Sequence, residues 1–287
     1  MGTANKLIVA ILIATFMLQA GLGAPPRSLR RVSSAAITRG LVIMFVIGPA
    51  IAFAVVRGIA PPKPVAAAIV VLSTVGVVPL AARGVRARRG SESTALVLTF
   101  ILSMMAAFVA VPLSRFLLST RAHAELAPGR ILLQLIVLQV FPLLVGALIA
   151  RKSTRAPQFA SVIGKANLVV LLVALVVIVA PKAGGLVALG VRGIVAAVVF
   201  AVLMGAVAFA IGGPSTEERC AIVSISNKPN AGVALAIMAS AGAPPVYAAA
   251  TLGAFIVRVL IGAGIDRLVA MRARRAAREA DAEAEAR

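Results

Sequence analysis

Tryptophan is absent from this sequence of 287 residues, and tyrosine, cysteine and histidine occur once each. Each scarcity closes off an explanation. With Cys220 alone, no disulfide can form within the chain, so a stapled scaffold is excluded. His123 is also alone, in a loop away from any other candidate ligand, so neither a histidine-based metal site nor a Ser–His arrangement can be built. With no Trp and one Tyr, the aromatic belts that mark membrane interfaces are nearly absent. Acids are scarce as well: nine Asp and Glu stand against 29 Lys and Arg, for a formal charge of +20. In a soluble chain that balance would indicate nucleic acid. Here the basic residues fall in short segments between apolar runs, where the natural counterpart is anionic lipid, so nucleic acid is not expected as a partner.

What is abundant is apolar sequence. Hydrophobic residues make up 61% of the chain, well above the usual share of about 45–50%. An α-helix needs about 20 mainly apolar residues to cross a bilayer. Nine stretches qualify as candidates: 7–22, 40–56, 65–82, 93–118, 131–150, 166–180, 193–212, 219–240 and 246–264. The first resembles a signal peptide, with Lys6 ahead of an apolar run, but it leads into a basic loop and further spans, so it reads as a membrane helix. With the N-terminus outside, the inside segments hold 19 basic residues and the outside segments eight, with Lys228 and Arg258 inside spans. This positive-inside bias predicts an all-α, multi-pass protein of the cell membrane with a cytoplasmic C-terminus. Residues 1–266 form one polytopic domain, and 267–287 form a charged tail. With its alanines the tail can form an exposed helix, but it runs from basic to acidic, against the helix dipole, so fraying is expected there.

Two stretches break the apolar pattern. Residues 224–240, SISNKPNAGVALAIMAS, place Ser226, Asn227, Lys228, Pro229 and Asn230 in a row inside the eighth candidate. Pro229 lacks an N–H and clashes with the preceding turn, and its predecessor is pushed from helical geometry. Such a break survives in a membrane only against protein or water, and reads as the binding centre of a transporter; the plainer alternative is an extramembrane loop between two short helices. Residues 71–80, VLSTVGVVPL, interrupt the third candidate with Ser73, Thr74, Gly76 and Pro79. Interrupted spans five apart, hence of opposite orientation, are the mark of an inverted repeat.

All nine acids fall in loops, at span ends or in the tail, so no carboxylate is expected at mid-membrane. Lys228 is then the sharpest candidate. Its ammonium could fill the place of an ion at the break, or release a proton and couple transport to protons. The plainer alternative is snorkelling. Arg258 could contact an anionic substrate or snorkel in the same way. Gln134 and Gln139 could line a cavity, but helix–helix hydrogen bonding is the expected use.

The chain resembles the bile acid:sodium symporter family in its nine-helix form. The likeness is carried by FMLQAGLGAPPRSLRRV at 16–32, IGPAIAF at 47–53, RARRGS at 86–91 and NAGVALAIMAS at 230–240. The resemblance implies that the third and eighth spans are discontinuous and cross. It also implies a core of roughly 40–118 and 193–266, and a panel of roughly 1–39 and 119–192. An organic anion would bind between the two. Departures from the family pattern concern sodium. The Ser-Asn pair of the first crossing helix aligns with Ala81 and Ala82, a hydroxyl position with Ala95, and an expected Gln with Met44. The Glu opening the second crossing motif aligns with Ile225 or Ser226, while Thr99 and Asn230 remain.

The sequence therefore predicts a secondary transporter, not an enzyme, for an organic anion or amphipathic small molecule. Sodium is disfavoured as the coupling ion and no cofactor or metal is assigned. The substrate-binding candidates are Ser73, Thr74, Thr99, Ser226, Asn227, Lys228, Asn230 and Arg258, with Pro79 and Pro229 as the breaks. A sodium-coupled symporter with a rebuilt ion site is the alternative, as is a non-transporting scaffold or channel.

Overall fold

The computed structural model describes residues 3–23, 32–78, 85, 90–118, 129, 132–133, 136–179 and 189–285. Pro79, Ala81, Ala82, His123, Gln134 and loop arginines such as Arg83, Arg86, Arg88 and Arg89 lie outside the described residues. Among those described, the regular structure is helical, and each of the nine apolar stretches carries helix. Helix α1 spans Thr3–Gly23 and α2 spans Ser34–Ile59, the latter with a π turn at Ile43–Ile47 ahead of Gly48 and Pro49. Then come α3 (Lys63–Thr74) and α4 (Glu92–Leu118). A second π turn, Ile136–Val140, leads into α5 (Phe141–Lys152), again with proline just inside the helix, and α6 covers Ala156–Val179. The remainder is α7 (Gly190–Ile211), α8 (Thr216–Ser226), α9 (Ala231–Ser240) and α10 (Pro245–Glu285).

Local chemistry explains several boundaries. Ser33 caps α2 by accepting from the Ala36 amide at 3.1 Å, and Ser215 caps α8 from the Glu218 amide at the same distance. Glu217 and Glu218 sit in the first turn of α8, where the helix dipole favours negative charge. Glu218 also pairs with Arg39 at 3.1 Å, tying α8 to α2.

Three described helices are long and apolar enough to cross a membrane: Ser34–Ile59, Gly190–Ile211 and Pro245–Ala273. Helix α7, 22 residues at 1.5 Å each, is about 33 Å long, against a hydrocarbon core of about 30 Å. Its outer face exposes Val191, Ile194, Val195, Val202 and Leu203, which suits lipid and not water. By contrast α3, α8 and α9 hold 12, 11 and 10 residues, each about half a bilayer in length.

Helix α1 packs on α5 and α6, while α3, α4, α7, α8, α9 and α10 pack around one another, and α1 reaches across to α4 and α9. The α1–α5 contact is backbone to backbone. A Cβ on Gly21 would run into the Leu143 carbonyl oxygen, and one on Gly146 into that of Leu18. Small residues permit this approach where lipid supplies no hydrophobic drive.

Helix α10 runs past 264 to Glu285, and Val269, Ala270 and Ala273 are buried, so the segment after Arg267 is not wholly exposed. It also carries Asp266, only 3% exposed. Asp266 stands beside Arg267, at the point where the sequence turns polar. A charge with a buried partner lets the helix run on where a free one would end the span.

Candidate functional site

The two interruptions meet. The chain past α3 is extended, and Val77 pairs antiparallel with Pro229 between α8 and α9. The Val78 amide donates to the Lys228 carbonyl at 3.0 Å, and the Asn230 amide donates to that of Gly76 at 2.8 Å. Pro229 fits the middle of this bridge because it has no donor to lose. The Val77 carbonyl accepts from the Ser103 hydroxyl of α4 at 3.1 Å, and the Ser103 carbonyl accepts from Gln139 Nε2 on the second π turn. Non-helical backbone is thus satisfied by protein on several sides, the condition for its survival in a bilayer. The fit is tight: a Cβ on Gly76 would meet the Leu102 carbonyl oxygen at 2.7 Å, and one on Gly262 of α10 would meet Asn227 Cβ at 2.6 Å.

Two cations serve this region. Lys228 lies between the end of α8 and the start of α9. Its ammonium donates to Asp266 Oδ2 and to the Ser224 carbonyl, both at 2.6 Å, and the other Asp266 oxygen accepts from the Ser224 hydroxyl at 3.1 Å. Lys228 is 14% exposed and Asp266 1% by side chain. Arg258 neither snorkels nor faces outward. It is 1% exposed and donates to the Leu72 carbonyl at 2.7 Å and the Ser226 carbonyl at 2.6 Å, with its guanidinium 4.7 Å from the Phe200 ring centre.

Residues 10–189 match the Sodium Bile acid symporter family. The chain belongs to that family. It is therefore a multi-pass membrane transporter of the bile acid symporter type. No curated protein matches the chain. The family match ends before α8, so the second interruption, Lys228 and Arg258 all lie beyond it.

The other candidates of this symporter-family chain divide by how their side chains are used. The hydroxyls of Ser73, Thr74 and Ser226 donate back to Val70, Val71 and Val223, one turn earlier in their own helices. Asn230 caps α9 by accepting from the Val233 amide at 3.2 Å, and Asn227 Nδ2 donates to the Ala201 carbonyl of α7 at 3.2 Å. Asn230 Nδ2, Asn227 Oδ1 and Thr99 Oγ1 are buried without a partner. Met44 and Ala95, at the positions of expected polar groups, are buried and apolar. Asp266, Ser103 and Phe200 were not foreseen as part of this region. A carboxylate eight residues after Arg258 on one helix is the only sequence signal for Asp266, and nothing local marks Ser103 or Phe200.

Proposed function

We propose that this protein is a secondary transporter that moves an organic anion or amphipathic small molecule by alternating access, without a sodium gradient. The observation that supports it most is the meeting of the two interruptions at Val77 and Pro229. The first turn of α9 favours negative charge, and the buried, unpartnered Nδ2 of Asn230 stands beside it. Helix α1 covers this point, since a Cβ on Gly232 would meet Ile13 Cγ1 at 2.9 Å. A cargo held there would lie between the two groups of helices.

In this reading nine spans form an inverted repeat in which the third and eighth cross. The panel of roughly 1–39 and 119–192 rocks against the core of roughly 40–118 and 193–266. Asn227, Asn230 and Thr99 contact the cargo directly. Ser73, Thr74, Ser226, Lys228 and Arg258 support the crossing around it. The protein lies in the cell membrane with its N-terminus outside and its basic C-terminal segment against anionic lipid in the cytoplasm.

The test is uptake of a labelled bile acid, and of smaller organic carboxylates, into proteoliposomes in sodium or choline buffer. Saturable uptake of equal rate in both is expected. A steep sodium dependence would support the alternative of a rebuilt ion site around Thr99. An absence of saturable uptake across the carboxylates would support a scaffold.

A further inference from the structure

We infer that Arg258 is a built-in counter-cation that holds the crossing together in place of a mobile ion. Helices α3 and α8 both end at the crossing, and each ends with its carbonyl groups aimed inward. A helix C-terminus carries roughly half a negative elementary charge, so two together approach one whole charge. Such a pair of ends cannot stay buried in a low-dielectric interior without a positive partner. A bound monovalent cation would be one solution. In this protein the position is taken by a side chain: one terminal nitrogen of Arg258 donates to Leu72 O and the other to Ser226 O. One fixed guanidinium is thereby shared between the last turns of the two helices. Its planar fork reaches both at once, which a lysine ammonium does less readily. Phe200 closes the opposite face by a cation–π contact.

Lys228, the other cation within reach, is committed to Asp266 and to Ser224 O. A sodium ion, which the family's description implies, does not fit between Leu72 O and Ser226 O, because both oxygens already accept from a fixed charge. Arg258 is a positioning residue. It comes from α10, so it also fastens the two broken helices to a third, continuous one.

The inference bears on the sodium independence proposed above, but it is tested without transport, so the two can fail separately. The purified protein is unfolded by heat in equal concentrations of sodium, potassium or choline chloride. The wild type should unfold at the same temperature in all three. Arg258→Met, similar in length but uncharged, should unfold several degrees lower in choline, and sodium or potassium should restore part of the loss by entering the vacated position. Arg258→Lys, which keeps the charge but not the fork, should unfold between the wild type and Arg258→Met and remain indifferent to the cation. If Arg258→Met does not fold, the wild type and Arg258→Lys decide. A sodium-specific rise in either overturns the inference. So does a Met variant as stable as the Lys variant, or one that is weakened yet blind to the cation present.

Discussion

At the scale of single residues, the pair formed by Lys228 and Asp266 is the most exposed to mutation. Asp266 is buried and Lys228 largely so, and removing one takes from the other its opposite charge. Such truncations cost about 3–5 kcal/mol, whereas replacing both partners by apolar groups is often nearly neutral. Lys228→Met or Asp266→Leu alone should therefore reduce thermal stability strongly. The double variant should recover most of the loss, and a double-mutant cycle from melting curves checks this. An additive loss would mean that the pair is not coupled. Here the sequence was half legible. Lys228 stood out as a cation beside a proline break, and it lies between α8 and α9. Its ionic partner was not foreseen, because Asp266 is 38 positions away and looks like the polar end of a span. Arg258 presented the converse problem. Whether an arginine snorkels or stays inside depends on what surrounds its head group, and the carbonyls of Leu72 and Ser226 come from two distant segments.

Among elements, glycine contacts do work that side-chain area does elsewhere. Gly21 on α1 and Gly146 on α5 let the two backbones touch, each blocking the space a Cβ on the other would need. Gly146→Ala forces the helices apart, so the expected result is a lower melting temperature, with Gly21→Ala behaving alike. Because both changes act on one contact, the double variant should lose less than the sum of the singles. A full sum would show that the helices can separate at one point without moving at the other. The break in α8–α9 was readable from Pro229 and the polar run around it. The break after α3 was readable as a region, from Ser73 to Pro79, although α3 itself ends at Thr74 and the pairing residue is Val77. The register of that pairing could not be read, since it is set by backbone groups that every residue carries.

For the molecule as a whole, charge distribution is legible in the sequence and packing is not. The proposed topology puts nineteen basic residues on one side, an orientation that can be checked directly. A cysteine introduced near Arg287 should resist a membrane-impermeant thiol reagent applied to intact cells, and should react once the cells are opened; the native Cys220 is buried and serves as a low background. Ready labelling from outside would invert the arrangement. Helix α10 was underestimated because hydropathy ends where Asp266 begins, yet its 41 residues extend about 60 Å, twice the hydrocarbon thickness.

The bridge between Val77 and Pro229 also imposes an order of assembly. The two strands of that bridge are separated by about 150 residues of chain. At a synthesis rate of about 5–20 residues per second, the first segment is made about 8–30 s before its partner exists. During that interval the carbonyl of Gly76 and the amide of Val78 lack their final bonding partners, and Leu72 lacks the cation that later caps it. Hydrocarbon cannot meet those needs. The nascent first half must therefore wait in the insertion machinery, or beside water at the membrane surface, until residues 227–258 arrive. Any ribosome pause or truncation between α4 and α10 leaves behind a half-built crossing that a quality-control protease can recognise by its bare backbone.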